Sequence, residues 1–166
     1  MQYAGIIKND FSNANAGVCL SFYTQGCPHH CVGCHNPETW DFNGGYEFDT
    51  NVLQEIVDGI TANGLTRNFC VLGGEPLCDE NIFLTFLVLD HVRKAYPEIK
   101  IYLWTGYTLQ ELNELTNPRV KEALALIDVL IDGRYVEAQR DIRLELRGSA
   151  NQCVYDMKTI NNASQS

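Results

Sequence analysis

The stretch Val18–Cys34, VCLSFYTQGCPHHCVGC, carries a short apolar strand straight into three closely spaced cysteines. Val18–Tyr23 is the strand, and Cys27, Cys31 and Cys34 are separated by three residues and then by two, with no fourth cysteine close behind. A loop this tight can wrap three thiolates around one side of a small inorganic cluster. A structural zinc ion takes four ligands, and a ferredoxin-type cluster takes four thiolates. Three ligands in one loop suggest a cluster with one iron left open to bind something else.

On either side of that loop the chain alternates between short apolar runs and longer segments of helical period. After the Gly44-Gly45 turn, Leu53, Ile56, Val57 and Ile60 fall on one face of a helix, with Asn51 as its cap and Gln54 as the return partner. Phe69–Leu72 is a second strand, ending at Gly73-Gly74-Glu75-Pro76, and a strongly apolar helix follows from Glu80 to Ala95. Lys100–Trp104 is a third strand, stopped by Thr105-Gly106. Thr108 and Glu111 form a capping-box signature, and Asn117-Pro118 starts another helix to Leu126. Asp128–Ile131 is a strand ending at Asp132-Gly133, and Gln152–Tyr155 is a last short one.

Strand, loop, helix, strand is the rhythm of βαβ units, so this reading predicts an α/β fold with a mainly parallel sheet. Five such strands are too few for a closed eight-fold barrel, which leaves a partial barrel or an open sheet. Residues 1–160 form one domain, with a tail over Asn161–Ser166. In parallel α/β architectures the chemistry collects in loops at the carboxyl ends of the strands. The cysteine loop, Gly73–Pro76, Thr105-Gly106 and Asp132-Gly133 each follow a strand, so the four share one rim.

Bulk composition narrows the function. The 166 residues are 45% hydrophobic and 20% charged, the balance of a globular protein. A net charge of −9 without a basic cluster argues against a nucleic-acid partner. No apolar run reaches the length of a membrane span, and the N-terminus lacks a secretory pattern, so the expected location is the cytoplasm. Seven cysteines in such a chain point to metal chemistry rather than a disulfide framework. Cys19 and Cys70 lie in strand-like runs and read as small buried hydrophobes. Cys78 and Cys153 are expected nearer the surface, with no role assigned.

Two other readings of the cysteine loop stay open on residue type alone. His29, His30 and His35 lie in the same segment and could complete a Cys₃His zinc site, making the protein a zinc-containing interaction module. No second CxxC supplies the distant ligand pair usual in such sites. A redox dithiol at Cys31-Val32-Gly33-Cys34 leaves Cys27 unexplained. The histidines read as residues that shape and solvate the loop.

With its CxxxCxxC spacing the loop resembles the radical S-adenosylmethionine (SAM) superfamily. That resemblance implies a partial, truncated (β/α) barrel in which Cys27, Cys31 and Cys34 hold a [4Fe-4S] cluster. SAM would chelate the unique iron and be cleaved reductively to a 5′-deoxyadenosyl radical. Gly73-Gly74-Glu75-Pro76 is similar to the superfamily's GGEP motif, which receives the SAM amino group. Gly33, Cys34 and His35, together with Gly73, Gly74 and Glu75, are then the expected SAM-binding positions. Thr105 and Asp132 end rim strands and could meet the ribose or methionyl groups. Arg147 and Asn151 could bind the SAM carboxylate or a partner, or act as a structural clasp.

The run TQGCPHHCVGCHNPETWDFNGG, Thr24 to Gly45, with LRGSANQ at Leu146 to Gln152, resembles the family of anaerobic ribonucleoside-triphosphate reductase-activating proteins. This second resemblance implies a glycyl radical-generating activating enzyme. Its partner would be the large subunit of a class III ribonucleotide reductase, and its electron donor a flavodoxin-like protein. Activation of another glycyl radical enzyme, such as pyruvate formate-lyase, is the nearest alternative.

Overall fold

The chain begins with a strand, β1 (Gln2–Asp10), that pairs antiparallel with β2 (Cys19–Thr24) and with the two-residue β3 (Tyr46–Glu47). Neither β1 nor β3 was expected. The pairing of β1 with β2 shifts register between Tyr3 and Gly5 and again between Ile7 and Asp10, which breaks the two-residue alternation that marks a strand. The computed structural model describes residues 1–12 and 17–160, so the tail expected at Asn161–Ser166 lies outside the described residues.

The remaining strands are β4 (Asn68–Gly73), β5 (Ile101–Trp104), β6 (Val129–Asp132) and β7 (Cys153–Asp156). They complete one seven-stranded sheet in the order β3-β1-β2-β4-β5-β6-β7. β2, β4, β5 and β6 run parallel, as the βαβ rhythm requires, while β1, β3 and β7 flank them antiparallel. The sheet does not close on itself. Among the described residues, no helix is long and apolar enough to cross a membrane.

Helices α1 (Thr50–Ile60), α2 (Ile82–Ala95), α3 (Leu109–Glu114) and α4 (Pro118–Leu124) connect the parallel strands. The cap of α1 is Asp49, not Asn51: Asp49 is extended and its carboxylate accepts from Val52 N at 3.0 Å. Asn51 already lies within the first turn, and Gln54 bonds Asp58 instead of returning to a cap. Thr108 caps α3 by accepting from Glu111 N at 3.1 Å. Asn117 caps α4 through Arg119 N at 3.0 Å, with Pro118 in the first turn, where its missing N–H costs nothing.

Side-chain alternation splits the strands between two faces. One face carries Leu20, Phe22, Phe69, Val71, Ile101, Leu103 and Leu130, which pack with Ile56, Ile60, Leu84, Val88, Leu89 and Val92 in the main core. The opposite face carries Cys19, Cys70, Tyr102 and Ile131, packed with Leu72, Trp104, Val129 and Leu146. Cys19 and Cys70 are fully buried, in keeping with their reading as small hydrophobes. The carboxyl ends of β2, β4, β5 and β6 open onto one rim.

Candidate metal centre and its rim

The cysteine loop is closed at its base before any ligand is considered. Gly26 N donates to Thr39 O at 2.6 Å and Cys27 N to Trp40 O at 3.2 Å, so Cys27–Trp40 leaves and returns beside β2. The buried Gln25 amide ties the return limb down, donating to Glu38 O at 3.1 Å and Asp41 O at 2.7 Å. His30 stacks on Trp40 with centroids 4.7 Å apart. Among the described residues, the Trp40 indole N–H is the one buried side-chain polar group without a partner.

The Gly73-Gly74 pair is required by the backbone of the neighbouring strand. Gly73 has φ +107°, and a Cβ there would lie 2.7 Å from Thr24 N. A Cβ on Gly74 would lie 2.4 Å from Gly26 O. This close approach lets Gly74 N donate to Thr24 O at 2.9 Å and Glu75 N to Gly26 O at 2.8 Å. Asn81 Nδ2 adds a bond to the same Gly26 carbonyl at 3.0 Å.

Glu75 then joins three loops through one fully buried carboxylate. It accepts from Leu77 N at 2.9 Å, Thr105 Oγ1 at 2.8 Å and Gly106 N at 2.6 Å, and it contacts His29 Nε2 at 2.8 Å. His29 belongs to the cysteine loop, and its ring meets Tyr107 edge-on at 4.7 Å. Burial, with the Glu75 charge adding to it, pushes the Tyr107 hydroxyl up to about 12. The carboxylate therefore works as an internal tie, the supporting role that a buried charge with several donors performs best.

The far side of the rim is a clasp made by residues 133–152. Asp132 accepts from Leu109 N at 2.8 Å and Cys153 N at 3.1 Å. Gln152 Oε1 accepts from Gly148 N at 3.0 Å and Ser149 N at 3.1 Å, while Nε2 donates to Gly133 O at 2.9 Å. Arg147 donates to Gln152 O at 2.6 Å, and Asn151 Nδ2 to Arg134 O at 2.8 Å. Trp104 Nε1 donates to Leu146 O at 2.6 Å, holding the clasp against the sheet, with Leu146 at φ 65°.

Between the loop and the clasp lies a cavity of about 490 Å³, within the usual size of a small-ligand site. Cys27, Cys31, Cys34, His35, Gly73, Gly74, Glu75, Thr105 and Arg147 all line it. Gly33, Asp132 and Asn151 do not. Gly33 takes φ +77° to turn the loop, and a Cβ there would lie 2.8 Å from the Glu137 carboxyl carbon. Asp132 is spent on the N–H groups of Leu109 and Cys153, and Asn151 on Arg134 O within the clasp. Cys78 was expected near the surface but is buried, donating to Glu75 O at 3.2 Å, whereas Cys153 is exposed. His29, Gly106, Arg134, Tyr135 and Gln152 line the cavity and were not among the expected SAM-binding positions. Arg134-Tyr135 follows Asp132-Gly133 directly, so its place on the rim was legible.

The three thiols suit an iron–sulfur cluster on their own chemistry. None is in a disulfide. Burial raises the Cys27 thiol above its ordinary pKa, with Glu75 and Cys31 adding to the rise, while the N–H groups of His29 and His30 oppose it. A thiolate there gains from a bound cation such as iron. Asn36 N donates to Cys34 Sγ at 3.4 Å, the kind of N–H contact that tunes cluster sulfurs. Among the described residues, no three His, Cys, Asp or Glu side chains gather tightly enough to hold one metal ion.

Comparison with known proteins agrees with this chemistry. The 4Fe-4S single cluster domain family matches residues 15–155. An anaerobic ribonucleoside-triphosphate reductase-activating protein from Haemophilus influenzae is 35% identical over 159 residues, covering 95% of this chain and 99% of its own length. The proteins of that name from Escherichia coli K12 and from Enterobacteria phage T4 are 33% and 32% identical, over 95% and 92% of this chain and 100% and 92% of their own. With three free cysteines in one loop beside a ligand-sized cavity, and relatives alike from end to end, the chain belongs to the family of anaerobic ribonucleoside-triphosphate reductase-activating proteins.

Proposed function

We propose that this protein activates an anaerobic ribonucleoside-triphosphate reductase by generating a glycyl radical on it. Cys27, Cys31 and Cys34 would hold a [4Fe-4S] cluster, and SAM would bind in the adjoining cavity. When bound, the pair supplies reductive cleavage of SAM to a 5′-deoxyadenosyl radical able to take a hydrogen atom from a backbone glycine. The observation that carries this reading is that the cysteine loop and the Gly73–Pro76 loop share one cavity.

The chain's own residues position and shield. Glu75 holds the cysteine loop, β4 and β5 in one geometry, so its contribution to SAM binding runs through the loops it ties together. Gly73 and Gly74, together with Cys34 and His35, present the cavity wall nearest the cluster loop. Thr105 lines the wall while its hydroxyl is donated to Glu75. Gly33 contributes by turning the loop. Arg147 and Asn151 clasp the C-terminal segment.

The open sheet is read as a truncated (β/α) barrel whose missing strands leave a side through which a protein loop can enter. A flavodoxin-like protein is the expected electron donor, and the cytoplasm the expected setting. The test is anaerobic reconstitution with iron and sulfide, followed by reductant, SAM and the candidate reductase. A glycyl-radical EPR signal is expected. A competent cluster that cleaves SAM without yielding that signal overturns the partner, and a colourless protein retaining one zinc ion overturns the enzyme.

A further inference from the structure

Between Cys27 and Cys31 the loop carries Pro28, His29 and His30. Among the described residues these three make no backbone-to-backbone hydrogen bond, so a side chain has to fix where this half of the loop lies. Pro28 and His30 are exposed, and His30 lies on Trp40. His29 turns inward, its side chain only 5% exposed. Its Nε2 lies 2.8 Å from the Glu75 carboxylate, which can only accept, so Nε2 donates. The ring stands edge-on to Tyr107. Gly106 leaves room for it: a Cβ there would meet three atoms of the His29 ring first, the nearest at 2.4 Å. Gly106 N donates to the same Glu75 oxygen at 2.6 Å. The imidazole is thus keyed between the loops that follow β4 and β5, both of which line the cavity. Its own backbone N–H reaches the other way, toward the Cys27 sulfur.

We propose that His29 is the positioning residue that couples the cluster to the cavity. It holds the segment between Cys27 and Cys31 in register with the wall of Glu75, Thr105 and Gly106, so that one ligand can engage the open iron and that wall together. This deepens the function proposed above and rests on it. The ring nitrogen that faces the wall is already given to Glu75, so His29 acts through the two loops it joins. Glu75 is a fixed anchor, because Leu77 N, Thr105 Oγ1 and Gly106 N hold its carboxylate as well. A hydrogen bond to such a charged acceptor is among the stronger ones. A binding site has to be held to within about 0.5 Å by side chains that are themselves locked in place, and a buried ring with one strong bond and one close-fitting glycine meets that need.

The test compares reconstituted proteins by two readouts. One is the SAM dissociation constant per loaded cluster, from equilibrium dialysis; the other is the change SAM causes in the EPR spectrum of the reduced cluster. His29→Ala should keep its iron and sulfide, bind SAM about tenfold more weakly and show that spectral change only at correspondingly higher SAM. His29→Gln, whose amide N–H can still donate to Glu75, should retain most of the wild-type affinity. Gly106 takes no left-handed backbone angle, so an alanine there disturbs the ring rather than the backbone. Gly106→Ala should therefore weaken SAM binding as His29→Ala does, and the double variant should be no weaker than either single one. Unchanged affinity per loaded cluster in His29→Ala overturns the proposal, even where less cluster is loaded. A His29→Gln protein as weak as His29→Ala overturns it too, as do losses that add in the double variant, which would set the new methyl against SAM itself. Where His29→Ala does not fold, His29→Gln and Gly106→Ala decide by the same two readouts. A wild type that loads its cluster yet binds no SAM overturns the functional reading, and the coupling falls with it.

Discussion

The two faces of the sheet are made from alternate residues of the same strands, yet they do opposite work. Leu20, Phe22, Val71, Ile101 and Leu103 face the helices and are sealed by them. Cys19, Cys70, Leu72, Tyr102 and Trp104 face the other way and are covered by a clasp anchored at Leu146. The helix face fills its space with aliphatic side chains, which bury area without needing partners. The clasped face mixes thiols, rings and hydrogen-bonded loops and leaves a cavity of about 490 Å³. A period of two thus separates stability from function within single strands.

The sharpest way to break that division is to alter one face and read the other. Cys31→Ala should abolish cluster incorporation, read as loss of the iron–sulfur absorbance, while the melting temperature of the iron-free protein stays close to wild type. Leu103→Ala should do the reverse. Removing a fully buried leucine costs about 2–5 kcal/mol, read in denaturant melts, while the folded fraction still takes up iron and sulfide. A Leu103 variant that folds normally but loses its cluster would show the faces to be coupled.

Glu75→Gln tests where the two meet. The amide keeps one acceptor and turns N–H either toward Leu77 N and Thr105 Oγ1 or toward Gly106 N, so a loss of about 2–4 kcal/mol is expected together with weaker SAM binding by equilibrium dialysis. Weaker SAM binding at unchanged stability would reassign Glu75 to direct contact.

Asp128 lies at the opposite end of β6 and sharpens the comparison from the stability side. Burial alone would raise its carboxyl, but Ile101 N–H, Arg93 and Lys158 outweigh that and hold it below the usual range. Its contribution is therefore present above the unfolded aspartate pKa, near 4, and is lost as pH falls through the lower folded value. Asp128→Asn should cost about 1.5–3 kcal/mol at neutral pH and progressively less in acid, with cluster assembly unchanged at neutral pH.

Much of this was legible in the chain. The four parallel strands announced themselves as apolar runs ending in glycine or polar turns, and Thr108 and Asn117-Pro118 marked their helix starts. β1 escaped because two register shifts spoil its alternation. Asn51 with Gln54 three positions on fits a capping box, whereas the helix starts where the extended Asp49 carboxylate meets Val52 N. Cys27, Cys31 and Cys34 stand out as candidate ligands because their spacing is local. The places of His29 and Gln152 do not stand out, since the contacts that bring them to the rim, with Glu75 and with Gly133 O, span 46 and 19 residues.

What the sequence determined by itself is the local chemistry: three thiolates in one tight loop, a glycine-rich turn after a strand, and the βαβ order that sends both to one rim. Spacing along the chain is enough for these, because each depends on neighbours a few residues apart. Only the tertiary structure decided that Gly73 and Gly74 serve the backbone of β2 and its following loop, and that Glu75 is a tie between loops. Those outcomes depend on which segments the sheet places side by side, and strand order in space is set by packing and pairing across long separations rather than by any local pattern.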